Sequence, residues 1–354
     1  MREAIEGARV SIHLEISIFM AEEVGRSFAE ALGRKAEAGL DVRVIYDSFG
    51  SHRAGCRMFE EMRGRGVEVG EYRPYVPWRL FGRNHRKLLV VDGRVAFTGG
   101  MNLADSYSAR VSGESAWRDT QLRVEGPAAR DCDLLFRETW RIVTEEELSE
   151  PPEFSWSGDE GEREDDGGAE CESCTCLVVG SRSLKRRRVM RRLFSVHIGR
   201  ARKAIQFSVS YFSPPRRLKR ALENARERGV EVDLLVPEFT DVPIADWIRE
   251  RLLPEFLEMG LTIREYHRAV LHAKTMVVDG DLAVVGSTNY DYLSIALNLE
   301  LSIVVYDREF AGKLLEQHAK DLACATPIDL ERARNRRWWQ KMVARLVGYL
   351  VRRL

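Results

Sequence analysis

His85-Arg-Lys-Leu-Leu-Val-Val-Asp92-Gly93 and His272-Ala-Lys-Thr-Met-Val-Val-Asp279-Gly280 are one pattern written twice. Each copy runs on to a small-residue turn ending in asparagine, Gly99-Gly100-Met-Asn102 and Gly286-Ser287-Thr-Asn289. Corresponding positions lie 187 residues apart throughout, so no insertion separates the copies. An apolar run closed by Asp-Gly and followed by a second apolar run (Arg94 to Thr98, Asp281 to Val285) predicts a β-hairpin, because Asp-Gly accepts the backbone of a two-residue turn.

Outward from the hairpins the duplication continues. Ala8 to Phe19 resembles Ala201 to Phe212, each a helix end running into an alternating strand. A helix follows each, and Gly39 and Gly229 stand just past it, where a left-handed cap is expected, ahead of strands at Val42 to Tyr46 and Val232 to Val236. Further strands are predicted after Gly66 and Gly260, near Gln121 to Val124 and at Leu299 to Tyr306, the last two each followed by a helix. Alternating strands and helices predict an α/β chain of two similar lobes, each a mixed β-sheet flanked by helices, related by a pseudo-two-fold axis.

The expected organisation is an N-terminal lobe over 1–150, an acidic linker over 151–176, a C-terminal lobe over 177–327 and a basic amphipathic helix over 328–354. A chain of 354 residues with 44% hydrophobic content suits two lobes with sizeable cores. Lys+Arg and Asp+Glu both total 55, and this neutrality hides an acidic stretch from Glu150 to Glu172 and a basic one from Arg332 to Arg353. No run of 18 apolar residues occurs and the first residues lack a signal-peptide pattern, so a cytoplasmic, peripheral protein is expected. Cys171-x-x-Cys174-x-Cys176 has no fourth ligand nearby in sequence and reads as a cysteine cluster in a loop. The other histidines, His13, His52, His197, His267 and His318, read as packing or surface residues.

In an extended strand, residues two apart share a face at about 6.5 to 7 Å, so His85 with Lys87, and His272 with Lys274, can grip one phosphate. Asp92 and Asp279, seven positions beyond their histidines, would point to the other face about 23 Å away along a straight strand. They read as turn-formers, with Gly99 and Gly286 as structural members of the motif. Better carboxylate partners for the imidazoles are Asp119 in Trp117-Arg118-Asp119 and Glu300 in Asn298-Leu-Glu300. Either can return to a histidine and fix its tautomer.

These residues resemble the phospholipase D superfamily, specifically its bacterial cardiolipin synthase-like branch. Both H-x-K-x₄-D motifs, the Gly-Gly-x-Asn and Gly-Ser-x-Asn turns and Asn298-x-Glu300 carry the resemblance over nearly the whole chain. Softer features of the branch are Trp117-Arg-Asp-Thr, Tyr211-Phe-Ser-Pro and the basic C-terminal helix. Such proteins have a strand and helix before the position of Met1, so a trimmed first lobe or a late start is expected. Gly100 in place of the serine found at 287 removes one hydroxyl donor.

The resemblance implies phosphatidyl transfer through a covalent phosphohistidine, with His85 the nucleophile and His272 the acid and then the base. Lys87, Lys274, Asn102, Asn289 and Ser287 are expected to hold the phosphate. The two lysines supply the positive charge of a divalent ion, so neither metal nor cofactor is expected. A second phosphatidylglycerol as acceptor gives cardiolipin, and water gives phosphatidic acid. Anionic phospholipid and a membrane surface are the expected partners, nucleic acid is not, and oligomeric state is left open. Trp338 and Trp339 with Arg337, Lys341 and Arg345 read as an interfacial helix on the inner face of the cell membrane. Basic Lys185 to Arg192 and the aromatic loop Tyr72 to Trp78 are weaker candidates for contact. The rival readings are a nuclease or other phosphodiesterase of the superfamily, and a membrane adaptor without catalysis.

Overall fold

The computed structural model describes residues 1–74, 81–149, 174–181 and 184–334. In the first half, α1 (Arg2–Gly7) leads into β1 (Ser11–Ile16), α2 (Glu23–Glu37), β2 (Asp41–Asp47), α3 (Cys56–Gly64) and β3 (Glu68–Tyr72). The hairpin β4 (Lys87–Val91) and β5 (Val95–Gly99) follows, then a short α4 (Ala109–Ser112), β6 (Gln121–Glu125) and the long α5 (Pro127–Thr144). These strands form one sheet in the order β3-β2-β1-β4-β5-β6. The first three are parallel and joined by helical crossovers, as parallel neighbours require; the last three are antiparallel.

The second half opens with β7 (Thr175–Ser181) and α6 (Leu184–Arg200), then β8 (Ala204–Val209), the short β9 (Phe212–Ser213), α7 (Arg216–Glu227) and β10 (Glu231–Pro237). It continues through α8 (Pro243–Glu258), β11 (Thr262–Tyr266), the hairpin β12 (Lys274–Val278) and β13 (Leu282–Gly286), and β14 (Tyr290–Asp291). α9 (Tyr292–Ala296), β15 (Glu300–Tyr306), α10 (Arg308–Leu322), β16 (Ala325–Pro327) and α11 (Leu330–Arg334) complete it. The main sheet runs β16-β11-β10-β8-β12-β13-β15-β7, and β9 pairs separately with β14. Within it β11-β10-β8-β12-β13-β15 repeats the order of the first sheet, with β16 and β7 added at the two edges.

Burial explains why the hairpin strands are continuously apolar. Leu89 and Val91 of β4 face one core with α2 and α3, while Leu88 and Val90 face a second core with Phe136 and Trp140 of α5. That second core also contains Val285 of β13 and Leu301, Ile303 and Val305 of β15, so it is shared between the halves. Strands covered on both faces have no solvent side on which to place polar residues. The turns behave as Asp-Gly predicts: φ is positive at Asp92 (53°) and Gly93 (67°), and at Asp279 (54°) and Gly280 (73°). Gly39 and Gly229 likewise hold positive φ (91° and 84°) past their helices.

Two boundaries move. The linker expected to end at 176 gives way earlier, because Thr175 and Cys176 pair in register with Tyr306 and Val305. Cys176 is therefore a strand residue rather than part of a loop cluster. The tail expected from 328 does not begin as a separate element either: Ile328 donates its N–H to Ile263 at 2.9 Å, and Ala333 of α11 is buried. Arg332 pairs with Glu265 and Arg334 with Glu258, fastening α11 to the C-terminal lobe. Trp338, Trp339, Arg337, Lys341 and Arg345, the stretch 150–173 with Cys171, and Tyr75 to Trp78 lie outside the described residues.

Candidate active site

Sequence spacing puts each histidine in line with its lysine, and the structure refines this. The strands begin at Lys87 and Lys274, with His85 and His272 in the extended segments just before them. Those segments cross between the halves. His85 donates its N–H to Leu299 (2.9 Å) and Leu299 returns one to Arg83 (2.9 Å); His272 donates to Arg118 (2.7 Å) and Arg118 returns one to Val270 (2.9 Å). Each lysine folds back on its own histidine: Lys87 Nζ donates to the His85 carbonyl at 2.8 Å, and Lys274 Nζ to the His272 carbonyl.

The carboxylates cross as well. His272 Nδ1 lies 2.6 Å from Asp119 Oδ2, and His85 Nδ1 lies 3.0 Å from Glu300 Oε1. A carboxylate at Nδ1 favours the proton there and the lone pair at Nε2, although Lys274 Nζ also lies 2.9 Å from His272 Nδ1. The sequence left open which acid served which histidine; each half supplies the acid for the other.

The glycines of the motif explain how the acids reach so close. A Cβ on Gly99 would lie 2.2 Å from the Thr120 carbonyl oxygen, and one on Gly286 2.3 Å from that of Leu301. Only glycine lets the strand carrying the acid pack against the turn. At the next position the halves differ. A Cβ on Gly100 would lie 2.1 Å from Asp119 Oδ1, so the short aspartate occupies the space of a side chain. Its counterpart Ser287 keeps its side chain and donates its hydroxyl hydrogen to Glu300 Oε2 at 2.5 Å, while accepting from Leu301 N–H at 3.0 Å. That hydrogen is engaged, so Ser287 supports the carboxylate rather than offering a donor to phosphate.

Asp92 and Asp279 do more than turn the chain. Asp92 accepts from the backbone N–H groups of Arg9, Val10 and Ser11, and Asp279 from those of Arg202, Lys203 and Ala204, at 2.7 to 3.2 Å. Each thereby pins the start of the neighbouring strand to its hairpin.

Asn102 accepts from Ile18 N–H (3.2 Å) and donates to the Tyr107 hydroxyl (2.9 Å), whereas the buried Asn289 Oδ1 has no partner among the described residues. Tyr107 and Trp117 wall His272, with ring centroids 5.5 and 5.4 Å away. Sequence reasoning assigned neither a role. The signal was present: Asp119 follows Asn102 by 17 residues, whereas Glu300 follows Asn289 by 11, and the longer connection contains Tyr107. Arg86 was also missed. Wholly buried between His85 and Lys87, it reaches the carbonyls of Glu300 (3.2 Å) and Ser181 (3.3 Å) and Glu15 Oε2 (3.5 Å), tying both halves behind the site.

Electrostatically the two pairs act as one cluster. Burial lowers the His85 and His272 pKa values, that of His272 to about 4, and neighbouring lysines from both halves push the same way. Burial also brings Lys87 down to about 7 and Lys274 to about 8, each partly held up by Glu300 and Asp119. The imidazoles are therefore neutral near pH 7, as a nucleophile or base must be. The cations are under-neutralised, so an anionic phosphodiester between them would restore both lysine charges.

A family described as "Cardiolipin synthase, PLD-like domain" matches residues 1–138 and 195–322. The chain belongs to this family. It is 34% identical over 92% of its length to a cardiolipin synthase of Geobacillus thermodenitrificans, covering 64% of that protein. It is 32% identical over 97% of its length to one of Halalkalibacterium halodurans, covering 67% of it. The chain thus spans about two thirds of the length of these relatives. Among solved structures, phosphatidylserine synthase of Haemophilus influenzae superposes with a TM-score of 0.70, covering 99% of this chain and 90% of that one at 15% identity. Part of the polyphosphate kinase of Porphyromonas gingivalis superposes at 0.59, covering all of this chain and 51% of that one at 16% identity. At such identities the likeness establishes the fold alone.

Proposed function

We propose that the chain is a phosphatidyltransferase that makes cardiolipin from two molecules of phosphatidylglycerol, acting at the inner face of the cell membrane. The observation that carries this is the reciprocal pairing of each histidine with the other half's carboxylate, which frees both Nε2 atoms within one cluster of two buried lysines. Such an arrangement brings a nucleophile, a proton carrier and charge neutralisation to one phosphorus atom, and it fits two halves facing each other across a pseudo-two-fold axis.

In the first step His85 Nε2 forms a bond to phosphorus and the phosphorus–oxygen bond to the glycerol headgroup breaks. His272 takes up a proton on Nε2 as the anionic substrate binds, gives it to the departing oxygen and so releases glycerol; the acceptor hydroxyl of the second step restores it. In the second step a hydroxyl of another phosphatidylglycerol passes its proton to His272, its oxygen attacks phosphorus, and the phosphorus–nitrogen bond breaks. Lys87, Lys274, Asn102 and Asn289 surround the non-bridging oxygens, and water in place of the second lipid yields phosphatidic acid. Burial is the main cause of the low His272 pKa and Lys274 the next; a phosphate oxygen paired with Lys274 offsets the second of these, and Asp119 at 2.6 Å holds the imidazolium.

Mass spectrometry of products from phosphatidylglycerol in mixed micelles tests the reading. Cardiolipin and free glycerol in equal amounts are expected, with phosphatidic acid as the minor product. Plasmid nicking in EDTA without lipid turnover would replace it with the nuclease reading.

A further inference from the structure

The described residues contain no helix long and apolar enough to cross a membrane, yet large apolar side chains stand exposed around the site. They concentrate in one segment after β10, where Phe239 (51%), Val242 (39%), Ile244 (47%) and Trp247 (39%) fall within nine residues. Ile244 and Trp247 are three apart near the start of α8 and so share a face. Asp241 in the middle of this segment accepts from the hydroxyl of Tyr211, and the preceding Ser210 donates its N–H to the Ala273 carbonyl, between His272 and Lys274, at 3.0 Å. The segment therefore borders the mouth of the site. Phe81 of the first half (41%) stands four residues before His85, and Leu293 (44%), in the same half as α8, follows Asn289 by four.

Cations lie in the same region. Arg216 and Arg217 open α7, three and four residues beyond Ser213, whose strand pairs with the residues next to Asn289. Arg53 lies in the turn after β2, whose last residue Asp47 binds Arg83 beside the site. All three are exposed, without a hydrogen-bond or ion-pair partner among the described residues. Soluble surfaces disperse exposed apolar groups; a cluster fringed by unpaired arginines and continuous with a buried phosphate-binding cluster has the make-up of an interfacial surface.

We propose that the apolar rim of Phe81, Phe239, Val242, Ile244, Trp247 and Leu293, with Arg53, Arg216 and Arg217 around it, is the surface by which the site docks on an anionic phospholipid bilayer. This rests on the lipid-transfer reading above and adds a second, site-centred contact to the one expected from the C-terminal segment. Docked this way, the mouth opens directly onto the headgroup layer, and a diacyl substrate needs to rise only partly from the bilayer for its phosphate to reach His85.

The test uses the full chain and the triple variant Phe239→Ser, Ile244→Ser, Trp247→Ser. Co-sedimentation is measured with vesicles of phosphatidylglycerol in phosphatidylcholine and with phosphatidylcholine alone. Turnover is measured on the same vesicles and on soluble bis(4-nitrophenyl) phosphate. The triple variant should bind the anionic vesicles at least tenfold more weakly and lose vesicle turnover in proportion, while hydrolysing the soluble diester as the parent does. Unchanged vesicle binding, or an equal loss on the soluble diester, overturns the proposal. Should the triple variant fail to fold, acyl chains brominated near the headgroup serve with the parent protein. They should quench a part of the tryptophan fluorescence that Trp247→Phe removes, and absence of that part overturns the proposal equally. Docking through the rim without lipid turnover would sink the transferase reading alone; lipid turnover with an indifferent rim would sink only this inference.

Discussion

The environments of His85 and His272 are built from the same motif and differ in how closed they are. His272 keeps 5% of its side chain exposed, held by an aspartate packed against Gly100 and walled by Tyr107 and Trp117. His85 keeps 22%, held by a glutamate braced by Ser287. The pairs Gly100–Asp119 and Ser287–Glu300 are two solutions to one problem of volume. A shorter acid needs the serine side chain removed, and a longer one leaves room for a hydroxyl that orients it. Duplication supplied two copies of the motif, and these neighbours make the copies unequal, one imidazole more open and the other more enclosed, a difference that suits the unequal roles proposed for them.

The most severe break of this comparison is removal of either ring. His85→Ala and His272→Ala are each expected to lower lipid turnover by about 10⁴-fold or more, because in the proposed mechanism both steps use both groups. A 4-nitrophenyl ester, whose leaving group needs no acid, should separate their parts. His272→Ala should still show a stoichiometric burst of nitrophenol and an acid-labile phosphoenzyme, and His85→Ala neither. The opposite outcome exchanges the two roles.

Volume matching is tested next. Gly100→Ser forces a Cβ into the Asp119 carboxylate and should reduce kcat by about 10²-fold through misplacement of His272. Adding Asp119→Glu should recover part of that loss, since it recreates the pairing found in the other half. A double variant no better than the single one would mean that the pairs are not interchangeable. Ser287→Gly, which only removes a brace from Glu300, should cost about tenfold.

Burying two lysines side by side opposes folding, and this appears in pH dependence. Lys87 has a folded pKa of about 7 against about 10.4 when unfolded. Between those values the unfolded chain holds a proton that the folded site has shed, so stability rises with pH across that window and the penalty is full below it. Lys87→Met is therefore expected to abolish turnover yet raise Tm by on the order of a few °C at pH 7, a gain that fades toward pH 10. Differential scanning calorimetry at both pH values checks the sign. The smallest effect is expected at Tyr107→Phe, about threefold to tenfold in kcat, since it removes the hydrogen bond from Asn102 and a long contact to His272 Nδ1 at 3.4 Å without opening the pocket.

Much of this was legible from residues close together in the chain. The β-hairpins followed from Asp-Gly between apolar runs, the repeat from the constant offset of 187, and the histidine and lysine pairs from their spacing. Asp92 and Asp279 were readable as turn residues, but their hold on the backbone of residues 9–11 and 202–204 was not, because those donors lie about 80 residues away in sequence. Tyr107 showed only as extra loop length.

By itself, then, the sequence determined the duplication, the strand and turn pattern and the residue types at the site, since each is encoded in periodicities and φ preferences that act over a few residues. The tertiary structure alone decided that Asp119 serves His272 and Glu300 serves His85, and that Ser287 turns to its neighbour's carboxylate. Those relations depend on how one sheet docks against another through a shared core, and no local pattern records which residues that docking brings face to face.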